Sequence, residues 1–97
     1  MIKSIMNTEK GTCYICGNNR GFELHHVFGA SNRKKSDKYG LTVYLCHNCH
    51  NAPPNGVHFN VENARRLKAK AQKMAMQYYK WDTEQFREIW GRSYDTE

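Results

Sequence analysis

Four cysteines stand in two pairs, Cys13-Tyr-Ile-Cys16 and Cys46-His-Asn-Cys49, with five histidines near them in the chain: His25, His26, His47, His50 and His58. A Cys-x2-Cys turn can hold two thiolates about 2.3 Å from one zinc ion, and two such turns complete a tetrahedral site. The 29 positions between Cys16 and Cys46 exceed the roughly 15–20 of a zinc ribbon, but they accommodate two strands and a connection. Four thiolate ligands leave no open coordination position. The expected metal is therefore structural, and its binding is inseparable from folding. The competing reading, a redox dithiol or unligated thiols, fits a single pair better than two.

Composition explains why a staple is needed. A chain of 97 residues is expected to form one domain, and 39% hydrophobic residues leave little apolar area to offset the entropy of ordering it. Met1 to Lys10 contain no apolar signal-peptide core, and no stretch approaches the roughly 18 apolar residues of a membrane span. A cytoplasmic protein without membrane contact is expected, and in a reducing compartment paired cysteines favour metal over disulfide. The formal net charge of +6 predicts a positive surface that attracts polyanions, nucleic acid first among them.

The elements that must position these residues follow from pattern. Residues 1–12 have no periodicity and read as a partly ordered leader ending at Gly11. Residues 13–97 read as a single domain, with knuckle and histidines in 13–60 and helices in 61–97. Alternation over Phe22 to Phe28 predicts a short strand ended by Gly29, and Leu41 to Leu45 predicts a second. Between them, Ser, Asn, Asp and Gly mixed with Arg33, Lys34, Lys35 and Lys38 predict a 12-residue basic loop that contacts phosphates. Asn60 is placed to cap a helix from Val61 to about Tyr79, with Val61, Ala64, Leu67, Ala71, Met74 and Tyr78 as one apolar stripe facing the core. Asp82 and Gln85 form a capping-box pattern for a helix from Thr83 to Trp90, ended by Gly91. Trp81, Trp90 and the tyrosines are expected in the core.

On a strand, adjacent side chains point to opposite faces, so His25 and His26 are expected to have different roles. One can bind a metal while the other faces a water molecule, with His50 and His58 completing the metal site from beyond the second strand. His47 has no assigned partner and reads as a surface residue or a minor DNA contact.

A Cys-x2-Cys, His25-His26 at a strand end, a connection, a second strand, Leu45-Cys46-His-Asn-Cys49-His50 and a later histidine together resemble the HNH endonucleases. The stretches His25-His-Val-Phe-Gly-Ala-Ser-Asn-Arg-Lys-Lys-Ser36 and Gly40-Leu-Thr-Val-Tyr-Leu-Cys-His-Asn-Cys-His50 look like small phage-encoded members linked to recombination, in particular RecA-dependent, recombination-enhancing nucleases. The resemblance spans residues 13 to about 60. It implies a small α+β fold, a zinc-stapled ββα-metal finger of HNH or treble-clef-like form followed by C-terminal helices. It also implies a nuclease acting on DNA, with His26 as general base, and His25, His50 and His58 as ligands of a catalytic divalent cation: Mg2+, Mn2+, Ni2+ or Zn2+. A RecA-type filament is an implied partner. The family's middle Asn has no counterpart at its usual place, where this chain has Gly40 and Leu41, and Asn60 has the competing role of helix cap. Two other readings use the same residues less fully: a zinc-stabilised module that docks DNA or a recombinase without cutting, and an RNA-cleaving enzyme.

Overall fold

The computed structural model describes residues 3–94, so the outermost positions of the leader and of the C-terminal part, 1–2 and 95–97, lie outside the described residues. Two short strands form the centre. β1 (Glu23–His26) pairs antiparallel with β2 (Thr42–Leu45), with Glu23 opposite Leu45, His25 opposite Val43 and His26 opposite Thr42. The pairing is shorter than the alternation predicted. Phe22 is exposed before it, while Val27 and Phe28 continue inward as buried chain, with the Val27 N–H donating to Leu41 O at 3.1 Å.

The connection between the strands is a helix and not the expected loop. A single 3-10 turn (Ala30–Asn32) runs into α1 (Arg33–Tyr39), which ends at Gly40 in the left-handed conformation (φ 74°). Turn-forming residue types suggested irregular chain, but their helical spacing puts Ser36 and Tyr39 on one inward face. Ser36 is fully buried; its hydroxyl donates to Phe28 O at 2.7 Å and accepts from Phe28 N at 3.1 Å, satisfying the peptide where the strand ends. Tyr39 packs edge-on against Tyr79 and Trp81. The basic side chains then fall on the outer side of a helix that tertiary contacts stabilise.

The segment before the first cysteine pair is built into the structure. Met6 is fully buried, Ile5 N donates to Gly40 O at 2.9 Å, and Tyr44 N on β2 donates to Thr8 Oγ1 at 3.0 Å. After β2 come the one-turn α2 (His47–His50), then α3 (Val61–Tyr79) and α4 (Thr83–Trp90). Both long-helix starts match the predicted caps: Asn60 accepts from Asn63 N at 2.9 Å, and Asp82 and Gln85 form a reciprocal capping box. The α3 stripe needs correcting at its ends. Leu67 and Ala71 are buried and Ala64 and Met74 pack against the core, but Val61 (81% exposed) and Tyr78 (64% exposed) lie outside it. The core reaches only the middle of the helix, where Gln72 and Ala75 join it. Phe28 ties the layers together, its ring 4.7 Å from Trp90, 6.1 Å from Phe86 and 4.9 Å from Tyr94. Among the described residues no helix is long and apolar enough to cross a membrane.

The two ends of the first cysteine loop meet at Gly11 and Gly21, where Gly11 N donates to Gly21 O at 2.7 Å. A Cβ on Gly21 would lie 2.2 Å from Thr12 C and 2.4 Å from Cys13 N, both backbone atoms that cannot yield without moving the knuckle. Gly21→Ala is therefore expected to lower stability by at least about 1–3 kcal/mol. Gly29→Ala, whose Cβ meets nothing within 4 Å, should be close to neutral, and urea denaturation of the two variants checks the contrast.

Candidate active site and metal centres

The first cysteine turn is closed by Gly17, left-handed at φ 77°, whose N–H donates to Cys13 O at 2.9 Å. The Tyr14 N–H bonds Tyr44 O at 2.8 Å, anchoring this turn to β2. The second pair continues from β2, with Cys46 extended at the start of α2 and Cys49 one turn later. All four sulfurs lie within 4.8 Å of one another, and the cysteines are free of disulfides. Bonds of about 2.3 Å meeting at a tetrahedral angle put two sulfurs about 3.8 Å apart. Cys16 Sγ and Cys46 Sγ are separated by 3.8 Å. The four cysteines are thus placed to hold a structural metal such as zinc.

The thiols of this cluster differ in how readily they ionise. Burial pushes the Cys13 thiol up, but the backbone N–H groups of Cys16, Cys46 and Ile15 outweigh it and bring the thiol down to about 6. Burial and the three neighbouring sulfurs push Cys49 well up. One thiolate is readily formed; a full set needs a cation to balance its charge.

A second cluster joins three of the histidines. His25 comes from β1, His50 ends α2 and His58 follows the turn after it, and one ring nitrogen of each lies within 4.8 Å of the others. The 51–57 turn doubles back onto α2. Val57 N donates to Cys49 O at 2.8 Å and His58 N to His50 O at 3.2 Å. Gly56 permits this approach, since a Cβ there would sit 2.7 Å from Ala52 N and 2.9 Å from His50 O. His50 Nε2 and His58 Nε2 face each other at 3.0 Å, close enough for one hydrogen or one cation to lie between them.

Carboxylates orient two of the rings. Glu23 Oε1 accepts from His50 Nδ1 at 2.8 Å and from the Asn51 amide at 3.2 Å, while its other oxygen faces the exposed His47 at 3.2 Å. With hydrogen on Nδ1, a neutral His50 presents its Nε2 lone pair to the cluster, an arrangement common behind metal-bound imidazoles. Burial holds His25 down to about 3, with the charges of His50 and His58 adding to the effect, and burial lowers His58 as well. Both rings are neutral at neutral pH and able to donate a lone pair.

His26 is directed elsewhere, as strand alternation requires. Its Nε2 lies 2.8 Å from Asp37 Oδ1 on α1, and its side chain is 13% exposed. His25, His26 and His58 nevertheless line one cleft of about 450 Å³, together with Lys68 and Tyr94. The four basic residues predicted in a loop sit exposed on α1 instead, and Lys35 Nζ is occupied by Ile89 O at the end of α4. Asn60 is used as a helix cap and lies outside the histidine cluster.

Sequence reasoning missed Glu23, Asp37, Lys68 and Tyr94. Asp37 carries a faint signal as the lone acid in Arg33-Lys-Lys-Ser-Asp37-Lys38, and Glu23 shares strand parity with His25. Neither signal identifies a partner without the fold.

Two substitutions separate the clusters. Cys46→Ser is expected to leave the chain unfolded by circular dichroism and, by elemental analysis, to lack the zinc expected to be bound in wild type. Glu23→Ala should keep the fold and that zinc, yet bind a divalent cation at the histidines about 10–100-fold more weakly by calorimetric titration, because His50 loses its orienting acceptor.

Comparison of the chain with protein-family models, with curated proteins and with solved structures returns no match.

Proposed function

We propose that the chain is a metal-dependent DNA endonuclease of the HNH type, cleaving phosphodiester bonds by hydrolysis. One observation carries the reading: ring nitrogens of His25, His50 and His58 lie within 4.8 Å of one another, and His25 and His58 line a cleft that also holds His26, backed by a carboxylate. A structural cluster needs no such division between a ligand-competent group and a separate base.

His26 is the general base. Asp37 accepts from Nε2, so a neutral ring carries its lone pair on Nδ1, and that nitrogen takes the proton from the attacking water. Asp37 fixes this tautomer and balances the charge the ring gains, much as a buried carboxylate does in a catalytic triad. His25, His50 and His58 would hold a divalent cation, which when bound would supply Lewis-acid stabilisation of charge on the phosphate. Glu23 keeps His50 in the tautomer this requires. Three imidazoles suit Mn2+, Ni2+ or Zn2+, and the family resemblance adds Mg2+. The four cysteines remain a scaffold, separate from the reacting groups.

The net charge of +6 favours a polyanionic substrate, and the resemblance to phage recombination nucleases points to DNA processing in the cytoplasm, with a RecA-type filament as partner. The second reading, a zinc-stabilised module that binds DNA or a recombinase without cutting, accounts for charge and cysteines. It leaves the His26–Asp37 pair and the histidine cluster without a task.

Plasmid cleavage in the presence of Mg2+, Mn2+, Ni2+ or Zn2+ tests the proposal. Wild type is expected to cut with at least one cation, and His26→Ala to lose roughly 10²–10⁴-fold in rate while remaining folded and zinc-loaded. Absence of cutting with every cation, with and without a RecA-type filament, rules out the nuclease. Undiminished cutting by His26→Ala removes His26 from the mechanism and leaves the activity.

A further inference from the structure

The cleft of the histidines does not end at His58. Lys68 and Tyr94 line both it and a second hollow of about 570 Å³ that reaches Arg65 and Arg92, so the two form one groove along the first half of α3. Among the described residues no aspartate or glutamate lines either part. Arg65 is engaged by Glu62 at 2.6 Å, whereas Lys68 and Arg92 have no carboxylate partner among the described residues. Both cations lie against one aromatic ring: Lys68 Nζ is 5.5 Å from the Tyr94 centroid and Arg92 Cζ is 5.0 Å from it. Each head group is thus held in place with its hydrogen-bonding capacity left for a ligand.

The ring that positions them is itself fixed. Gln72, buried in the middle of α3, accepts from Tyr94 N at 2.6 Å and donates from Nε2 to Ser93 Oγ at 3.0 Å. The Tyr94 ring packs 4.9 Å from Phe28. The segment after α4 is therefore drawn back across α3 to form one wall of the groove. The basic helix α1 differs, since none of its residues lines either hollow and one of its cations is tied to α4.

We infer that the groove from His25 and His58 to Arg92 is the track for the DNA backbone, with Lys68 and Arg92 binding the phosphates beside the one that is cut. The inference rests on the nuclease reading for its position relative to the reaction. It assigns the principal backbone contacts to α3 and the C-terminal segment in place of α1. Contacts of this kind give affinity and register without sequence discrimination.

The test measures binding separately from cutting. Fluorescence anisotropy of a short labelled DNA duplex is followed across salt concentrations for zinc-loaded wild type, with no catalytic cation added. The same titrations use Lys68→Ala/Arg92→Ala and a charge-matched control, Lys34→Ala/Lys38→Ala, with circular dichroism confirming that both variants fold. Each phosphate neutralised contributes about 0.9 to the slope of log affinity against log salt, so the groove variant should lower the slope by about 1.8 and the control by less than half of that. A groove variant that changes the slope no more than the control overturns the inference, as does a wild type that binds no duplex. If His26-dependent cutting is present and the slope is unmoved, the groove assignment fails and the nuclease stands. If no cutting is found and the slope falls as expected, the nuclease fails and the groove stands as a DNA-binding site.

Discussion

Everything in this small structure is organised around the meeting of four sulfurs from two turns that lie far apart in the chain. A pair of four-residue strands is barely stable alone, and little apolar surface is available to hold it. Bringing Cys13 and Cys16 against Cys46 and Cys49 closes a loop containing both strands and all of α1, and it places the start of β1 beside the end of β2. His50 directly follows Cys49, and His25 sits two positions beyond Glu23 on the neighbouring strand. The geometry that suits a structural metal therefore also delivers two of the clustered histidines. Gly21 and Gly56 lie where backbones pass too closely for any side chain, one against Thr12 and Cys13 and the other against His50 and Ala52.

The site has a consistent polarity. Carboxylates stand behind two of the imidazoles: Glu23 behind His50 of the histidine cluster, and Asp37 behind His26 in the cleft. This order lets each ring present one lone pair forward while its opposite nitrogen is satisfied. Among the described residues the cleft and its continuation are lined by cations and neutral groups.

The C-terminal half does more than bury apolar area. Tyr39, Tyr79, Trp81 and Trp90 pack as one aromatic group, and Lys35 bonds the last turn of α4, so α1 is held against the helices that follow. Asp37 owes its position beside His26 to that packing. Gln72 performs a comparable task for the C-terminal segment by exchanging two hydrogen bonds with Ser93 and Tyr94 from inside the core. Elements remote in sequence from the histidines thus determine how two sides of the cleft are built.

Local chemistry was legible in the sequence. The paired cysteines, the Asn60 cap, the Asp82–Gln85 capping box and the limits of α3 and α4 are set by residues within a few positions of one another, and the sequence by itself determined them. Strand alternation likewise separated His25 from His26. Only the tertiary structure decided matters governed by distant partners. α1 is helical because Phe28, Tyr79 and Trp81 receive Ser36 and Tyr39, although its composition reads as a loop. Met6 enters the core from a segment with no pattern, and the outer ends of the α3 stripe are left bare because no element covers them. Glu23, Asp37, Lys68 and Arg92 are unremarkable charged residues in the chain. Their places behind the rings and along the groove depend on contacts across 11 to 28 positions and more, as between His26 and Asp37 or Glu23 and Asn51, and no local propensity encodes such separations.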